Sequence, residues 1–253
     1  MKRKARQPAR AFTLVDVMVS MAVVAVLIGL LLPSLRGVSV TAKRVACSSN
    51  VRQIGLGLHM YADDWNGMIA PSVFVPGWSQ NHRGSSPQEM MTLRLADDSM
   101  GLWGQSWDGL GRLTMGDYLD AAKIYYCPSH HGEHKFTNYA SSFGLDTREA
   151  VGNYQYRGQG PNGSRFLYEI VPSAAALVSD GLQSKSDFNH PLGLNVLLAD
   201  LHVVWFDDSN RSLYNSLPDD EAESGAAAAV ADAWSAIDDG RQTSGSGGSG
   251  GGK

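Results

Sequence analysis

The chain is 253 residues long; 43% of its residues are hydrophobic and 18% are charged. This balance supports a sizeable core and excludes wholesale disorder or a charge-rich coiled coil. The net charge is −4, but five of the 21 basic residues lie within the first ten positions, leaving 16 basic against 25 acidic residues in the remainder. An acidic body lacks the clustered Lys and Arg that phosphate contacts need, so no nucleic acid partner is expected.

An apolar segment follows the basic N-terminus. Residues 12–35 carry one charge, Asp16, and as a helix they would span about 36 Å, enough for a hydrocarbon core of roughly 30 Å. The preceding basic residues predict a cytoplasmic N-terminus and an exported body. A cleaved secretory signal, a lipoprotein signal and a retained anchor are the alternatives. We favour the anchor, because the small-residue sites near Ala42 and Cys47 lie far beyond the apolar run.

Residues 11–16 read AFTLVD. Together with the apolar run and Pro33 they resemble the prepilin signature of type IV pilins and type II secretion pseudopilins. The resemblance implies that a prepilin peptidase cleaves between Ala11 and Phe12 and methylates the new amine of Phe12. It also implies that Asp16 pairs with the N-terminal amine of a neighbouring subunit, which would compensate a charge that is otherwise costly in a membrane. The family usually has Gly in place of Ala11 and Glu in place of Asp16.

The fold class implied is α+β, with a long N-terminal helix, first transmembrane and then amphipathic, before a pilin-like periplasmic head with an antiparallel β-sheet. The expected organisation is a basic leader at 1–11, a transmembrane assembly helix at 12–35, an amphipathic extension at 36–66, an α+β head at 67–217, and an alanine-rich helix with a flexible Gly/Ser tail at 218–253. The expected location is the inner membrane, as a single-pass protein with its head in the periplasm. The expected partners are prepilin peptidase, other pseudopilin subunits, the inner-membrane assembly platform and membrane lipid.

Apolar residues continue at helical spacing beyond the anchor, at Cys47, Val51, Ile54, Leu58 and Tyr61. Their spacing of four, three, four and three residues predicts one buried stripe. Residues 63–67 resemble a calcium loop only in part, since Ala62 and Val73 occupy ligand positions. The sequence therefore predicts that the helix ends here, at Gly67.

A second resemblance lies in CSSNVRQIGL at 47–56, YADD at 61–64 and CPS at 127–129. These segments are similar to a bacterial subfamily of pseudopilin-like proteins with a C-terminal signature of His, nine residues and Asp-Gly. His190 and Asp200 stand at this spacing, and Leu201 replaces the glycine. The surrounding apolar runs predict an antiparallel hairpin, with further strands upstream. The strand candidates are Phe166–Val171, Ala174–Val178, Leu194–Leu198 and Val203–Phe206.

Cys47 and Cys127 are candidates for a disulfide, because an exported head lies where disulfides persist. A bridge would join the long helix to the head. Two buried free thiols are the alternative, and the sequence leaves both open.

His130, His131 and His134 form a first histidine cluster, close to Cys127. Zinc is conceivable there, but the neighbouring proline and glycine predict a loop, and an exposed histidine-rich loop is the commoner case.

His190, Asp200 and His202, with Asp180 upstream, form a second cluster. Such residues could bind a metal or form a carboxylate–imidazole pair. We favour a structural role, in which the chain reversal brings His190 and Asp200 within reach of each other and fixes the hairpin.

No phosphate loop or dinucleotide fingerprint is present. We expect a non-enzymatic pseudopilin subunit, with no catalytic residue, cofactor or bound metal. A membrane-tethered periplasmic binding protein that is processed but does not polymerise is the alternative, and a metal-dependent periplasmic enzyme is a third.

Overall fold

The computed structural model describes residues 13–75, 90–96, 106–144, 148–173, 175–220 and 225–245, without the side chains of 31–36 and 241–245. Ala11 and Phe12, the expected cleavage site, lie outside the described residues. The chain divides into two compact units, residues 1–42 and 43–253. The predicted α+β class with antiparallel sheets is confirmed.

Helix α1 extends from Leu14 to Asp64 and both of its ends have local causes. At the start, the Thr13 backbone N–H donates to the Asp16 carboxylate (3.0 Å), and the Asp16 N–H donates to the Thr13 hydroxyl oxygen (3.2 Å). This reciprocal pair is a capping box. At the end, Gly67 has a φ of +84° and donates to the Ala62 carbonyl (2.7 Å). The predicted stop at Gly67 is confirmed.

The two parts of α1 differ in burial. In the second unit, the predicted stripe is confirmed: Cys47, Val51, Ile54, Leu58 and Tyr61 are at most 1% exposed. In the first unit, the large apolar side chains between Leu14 and Leu30 are 39–75% exposed. Among the described residues, which leave out the side chains of 31–36, no helix is long and apolar enough to cross a membrane.

The main sheet contains four antiparallel strands in sequential order: β3 (Tyr154–Tyr156), β4 (Ala176–Asp180), β5 (Gly193–Leu198) and β6 (Val203–Asp207). A smaller ladder pairs β1 (Thr92–Arg94) with β2 (Ala150–Val151). The predicted hairpin is confirmed as β5–β6, with Asn195 opposite Trp205. The remaining helices of the described chain are α2 (Arg112–Met115), α3 (Phe136–Tyr139), α4 (Ser212–Ser216) and α5 (Ala226–Gly245).

The strand predicted at Phe166–Val171 is wrong, because Leu167–Glu169 form a 3-10 turn. Polar side chains close this loop: the Ser164 hydroxyl donates to the Glu169 carboxylate, and the Asn162 amide donates to the Glu169 carbonyl (2.8 Å). Such local side-chain bonds offer the backbone an alternative to a β-ladder.

Strand β5 is buried along its whole length because both faces of the sheet are covered. Leu197 belongs to the hydrophobic cluster that contains the α1 stripe. Leu194, Val196 and Leu198 belong to a second cluster with Val230, Trp234 and Ile237 of α5. The core of the head therefore extends into the segment 218–253 and includes α5.

Candidate functional site

Four side chains from distant parts of the sequence meet beneath the long helix. Cys47 lies on α1, Cys127 follows the 3-10 turn Ala122–Tyr125, Asp180 ends β4, and His190 precedes β5. The structure joins Cys47 and Cys127 in a disulfide with a Cα–Cα distance of 5.0 Å, across 80 residues of sequence. We call these four residues the Cys–Asp–His cluster.

The cluster is compact and almost inaccessible. Asp180 Oδ1 lies 3.5 Å from Cys47 Sγ, and His190 Nε2 lies 3.6 Å from both Cys127 Sγ and Asp180 Oδ2. All four residues are at most 4% exposed. One potential ligand atom from each lies within 4.8 Å of the others, and no second group of this kind occurs among the described residues.

Neighbouring strands orient the cluster. The backbone N–H and side-chain amide of Asn195 both donate to Asp180 Oδ2, at 2.6 and 3.1 Å. The Tyr154 hydroxyl donates to Cys47 Sγ (3.3 Å). Tyr154 is the register partner of Asp180, and Asn195 lies on the other adjacent strand, so the sheet itself fixes these contacts.

A cation and an aromatic ring cover the histidine side. The Arg44 guanidinium carbon lies 3.4 Å from the centroid of the Trp205 ring, a cation–π contact. The Trp205 ring meets the His190 imidazole edge to face, with centroids 5.7 Å apart. Arg44 of α1 thus places a positive charge on the Trp205 ring that contacts His190.

Burial decides the protonation states. It raises the pKa of Asp180 to about 7, although the Asn195 hydrogen bonds oppose the shift. Burial and the Arg44 charge lower the pKa of His190 to about 4. Near neutral pH the imidazole is therefore neutral, and the 3.6 Å contact between the two residues is not a fixed ion pair.

The expected contact between His190 and Asp200 is wrong. The two residues lie beyond opposite ends of β5, whose six residues span about 20 Å. Asp200 instead pairs with His202 in the hairpin turn, where Asp200 Oδ2 lies 3.0 Å from His202 Nδ1 and the histidine is exposed. The partner of His190 is Asp180 (3.6 Å), which the sequence analysis placed upstream of the second cluster without assigning it a partner.

The histidine-rich loop is held by separate contacts. His130 Nδ1 lies 2.7 Å from Asn189 Oδ1, and His134 Nδ1 lies 3.1 Å from the Tyr139 hydroxyl. Within the described chain, His130, His131 and His134 do not join a group of three or more potential metal ligands.

A pocket of about 430 Å³ opens beside the disulfide. Its lining includes Cys127, Asn50, Tyr126 and Phe136. Cys127 lines this pocket and Cys47 does not, so one end of the disulfide borders it.

Residues 41–172, just over half of the chain, match the family SBP_bac_10, described as "Protein of unknown function (DUF1559)". The chain belongs to this family, which is typical of prepilin-like and pseudopilin-associated proteins. No curated protein and no solved structure matches the chain. The matched range contains Cys47 and Cys127 and ends before Asp180 and His190.

Proposed function

We propose that the protein is a non-enzymatic, pilin-like subunit that assembles through the N-terminal part of α1. The observation that carries this proposal is the burial contrast along one helix, whose residues 47–61 contribute a stripe to the core while the large apolar side chains at 14–30 are exposed. A helix that is apolar all round is stable only where something apolar covers it. We propose that membrane lipid covers it first and neighbouring copies cover it in a filament.

The capping box at Thr13 and Asp16 supports the proposed processing. Cleavage between Ala11 and Phe12 would free the amine of Phe12, one residue before Thr13, and the peptidase would then methylate it. The Asp16 carboxylate, which accepts from Thr13, would then offer its negative charge to the amine of a neighbouring subunit. Membership of a family typical of prepilin-like proteins agrees with this proposal.

In this proposal the protein is a single-pass protein of the inner membrane with its head in the periplasm. Its partners are prepilin peptidase, other pseudopilin subunits and the assembly platform. An oxidising compartment also agrees with the Cys47–Cys127 disulfide.

Intact-protein mass spectrometry of the full chain, purified from membranes with and without a prepilin peptidase, tests the processing. We expect the mature form to lack residues 1–11 and to carry one added methyl group, only when the peptidase is present. A mature N-terminus near residue 43, or an uncleaved chain in both samples, would overturn the proposal.

Crosslinking tests the assembly. A cysteine introduced by Val19→Cys should crosslink copies of the processed protein, and Asp16→Asn should abolish this crosslink while cleavage continues. Asp16→Glu, the residue usual in the family, should restore it, and Ser20→Ala serves as a control on the same helix. Efficient cleavage without any crosslink would instead favour the tethered binding protein.

A further inference from the structure

Two ionisable side chains are packed against the buried disulfide. A disulfide needs no polar neighbour, and burial of a carboxylate costs free energy unless a partner compensates it. Asp180 and His190 nevertheless lie 3.5 and 3.6 Å from the two sulfur atoms. This arrangement indicates a second use for the same four side chains.

The distances match those of a tetrahedral zinc site. Zinc binds thiolate at about 2.3 Å and imidazole or carboxylate at about 2.0–2.2 Å, which separates the ligand atoms by roughly 3.3–3.8 Å. The Cys47–Asp180, Cys127–His190 and His190–Asp180 separations are 3.5, 3.6 and 3.6 Å. All four potential ligand atoms lie within 4.8 Å of one another, and the two sulfur atoms would move apart once the bond between them is broken.

We propose that Cys47, Cys127, Asp180 and His190 bind one zinc ion when the cysteines are reduced, and that the disulfide replaces this site when they are oxidised. Two thiolates, one imidazole and one carboxylate are the donor set that favours zinc over harder cations. Four protein ligands fill the tetrahedron, so the site is structural and leaves no position for a substrate.

The surroundings suit the metal-bound form. Asn195 holds Oδ2 of Asp180 with two hydrogen bonds, and Oδ1 faces Cys47 Sγ. The Tyr154 hydroxyl donates to Cys47 Sγ, the type of outer contact that orients a thiolate ligand. Two thiolates, a carboxylate and Zn²⁺ sum to one negative charge, and Arg44 supplies a nearby positive charge over Trp205.

The interconversion is a balanced exchange. A dithiol reductant gives two electrons and two protons to the Cys47–Cys127 bond; the S–S bond breaks, two S–H bonds form, and the reductant becomes a disulfide. Zinc then displaces both thiol protons to solvent as two Zn–S bonds form. The pocket that Cys127 lines borders one end of this bond, and we expect the reductant to approach there.

Cobalt and zinc titrations of the full chain in detergent test this inference. One sample is left oxidised and the other is reduced with a phosphine, which takes up oxygen from water as the disulfide becomes two thiols. We expect one Co²⁺ per reduced chain, with thiolate-to-cobalt charge-transfer bands and tetrahedral visible bands, and displacement by one Zn²⁺. The oxidised chain should show neither, and zinc should raise the melting temperature of the reduced chain alone.

Variants separate this site from adventitious binding. His190→Gln and Asp180→Asn should each weaken zinc binding by the reduced chain at least tenfold, with folding checked by circular dichroism of the oxidised form. His202→Gln and Asp200→Asn are the matched controls in the hairpin turn, and His131→Gln tests the histidine-rich loop; none of these should change the affinity. Equal binding by both redox forms, loss of binding with His131→Gln, or a reduced chain that takes up no metal would overturn the proposal.

Discussion

At the scale of single residues, the hairpin turn shows why a small departure from a sequence signature matters. Leu201 has a φ of +71°, and it stands where the resembling proteins have glycine. A left-handed conformation costs a residue with a Cβ roughly 1–2 kcal/mol. Leu201 compensates in part by packing towards α1, where its Cδ2 atom approaches Gly55.

The Leu201 turn yields a prediction that isolates backbone strain. Leu201→Gly and Leu201→Ala both remove the contact with α1, but only the glycine variant relieves the strain. We expect the glycine variant to be about 1 kcal/mol more stable than the alanine variant in denaturant unfolding. Leu192 is exposed and has no positive φ, so there the alanine variant should be more stable than the glycine variant. If Leu201→Ala were as stable as Leu201→Gly, the result would argue against backbone strain at Leu201.

Asp108 yields a prediction for pH dependence. Its carboxylate accepts from the Ser72 hydroxyl (2.6 Å) and the Val73 N–H (2.9 Å). Burial outweighs these bonds and raises the pKa of Asp108 to about 6, above an unfolded value of about 3.9. The folded state therefore binds more protons at Asp108 across this window, so the contribution of Asp108 to stability is largest below the unfolded pKa and is lost as the pH rises through 6.

The measurement compares the free energies of unfolding of the wild type and Asp108→Asn between pH 4 and 8. The free energy of unfolding of the wild type minus that of Asp108→Asn should fall by on the order of 3 kcal/mol with rising pH. The contributions of all other titrating groups cancel in this difference. A constant or growing advantage would show that Asp108 titrates normally.

At the scale of elements, the parts with strong internal patterns could be predicted. The α1 stripe, the β5–β6 hairpin and the alanine-rich helix α5 follow from spacing, alternation and composition. The run at 166–171 could not, because the bonds that Ser164 and Asn162 make to Glu169 decide its conformation. In the site, Cys47 and Cys127 were identified as a candidate disulfide, and His190 was assigned to a cluster with Asp200. The pairing of His190 with Asp180 instead depends on the packing of the loop before β5 against the end of β4, which no sequence spacing reveals.

Close packing of α1 on β5 gives an element-scale prediction. A Cβ added at Gly55 would lie 2.6 Å from Leu197 Cδ1, so alanine must displace a buried side chain. Overpacking costs about 1–3 kcal/mol, and the better helix propensity of alanine returns about 1 kcal/mol. Thermal unfolding should therefore show that Gly55→Ala is less stable than the wild type. Gly37 lies on the same helix, and a Cβ added there would have nothing within 4 Å, so Gly37→Ala should not be destabilised. A Gly55→Ala variant more stable than the wild type would contradict the packing.

At the scale of the whole molecule, the head depends on covering both faces of its sheet. One face packs against α1 and the other against α5. Asp238 of α5 also accepts a hydrogen bond from the Ala176 N–H of β4 (3.1 Å) and forms an ion pair with Arg157. The C-terminal helix is thus part of the folding unit, although its composition resembles that of a tail.

Truncation tests this dependence. A chain ending at residue 220 would expose Leu194, Val196 and Leu198 and lose the burial of Val230, Trp234 and Ile237. At about 1.5–3 kcal/mol for each large apolar side chain, the loss for the three α5 side chains alone is on the order of 5–9 kcal/mol, comparable to the stability of a typical domain. We expect this chain to aggregate or to lack a cooperative melting transition. A chain ending at residue 245 keeps every described contact and should melt at the same temperature as the full protein. If the chain ending at residue 220 also melted at that temperature, α5 would be dispensable.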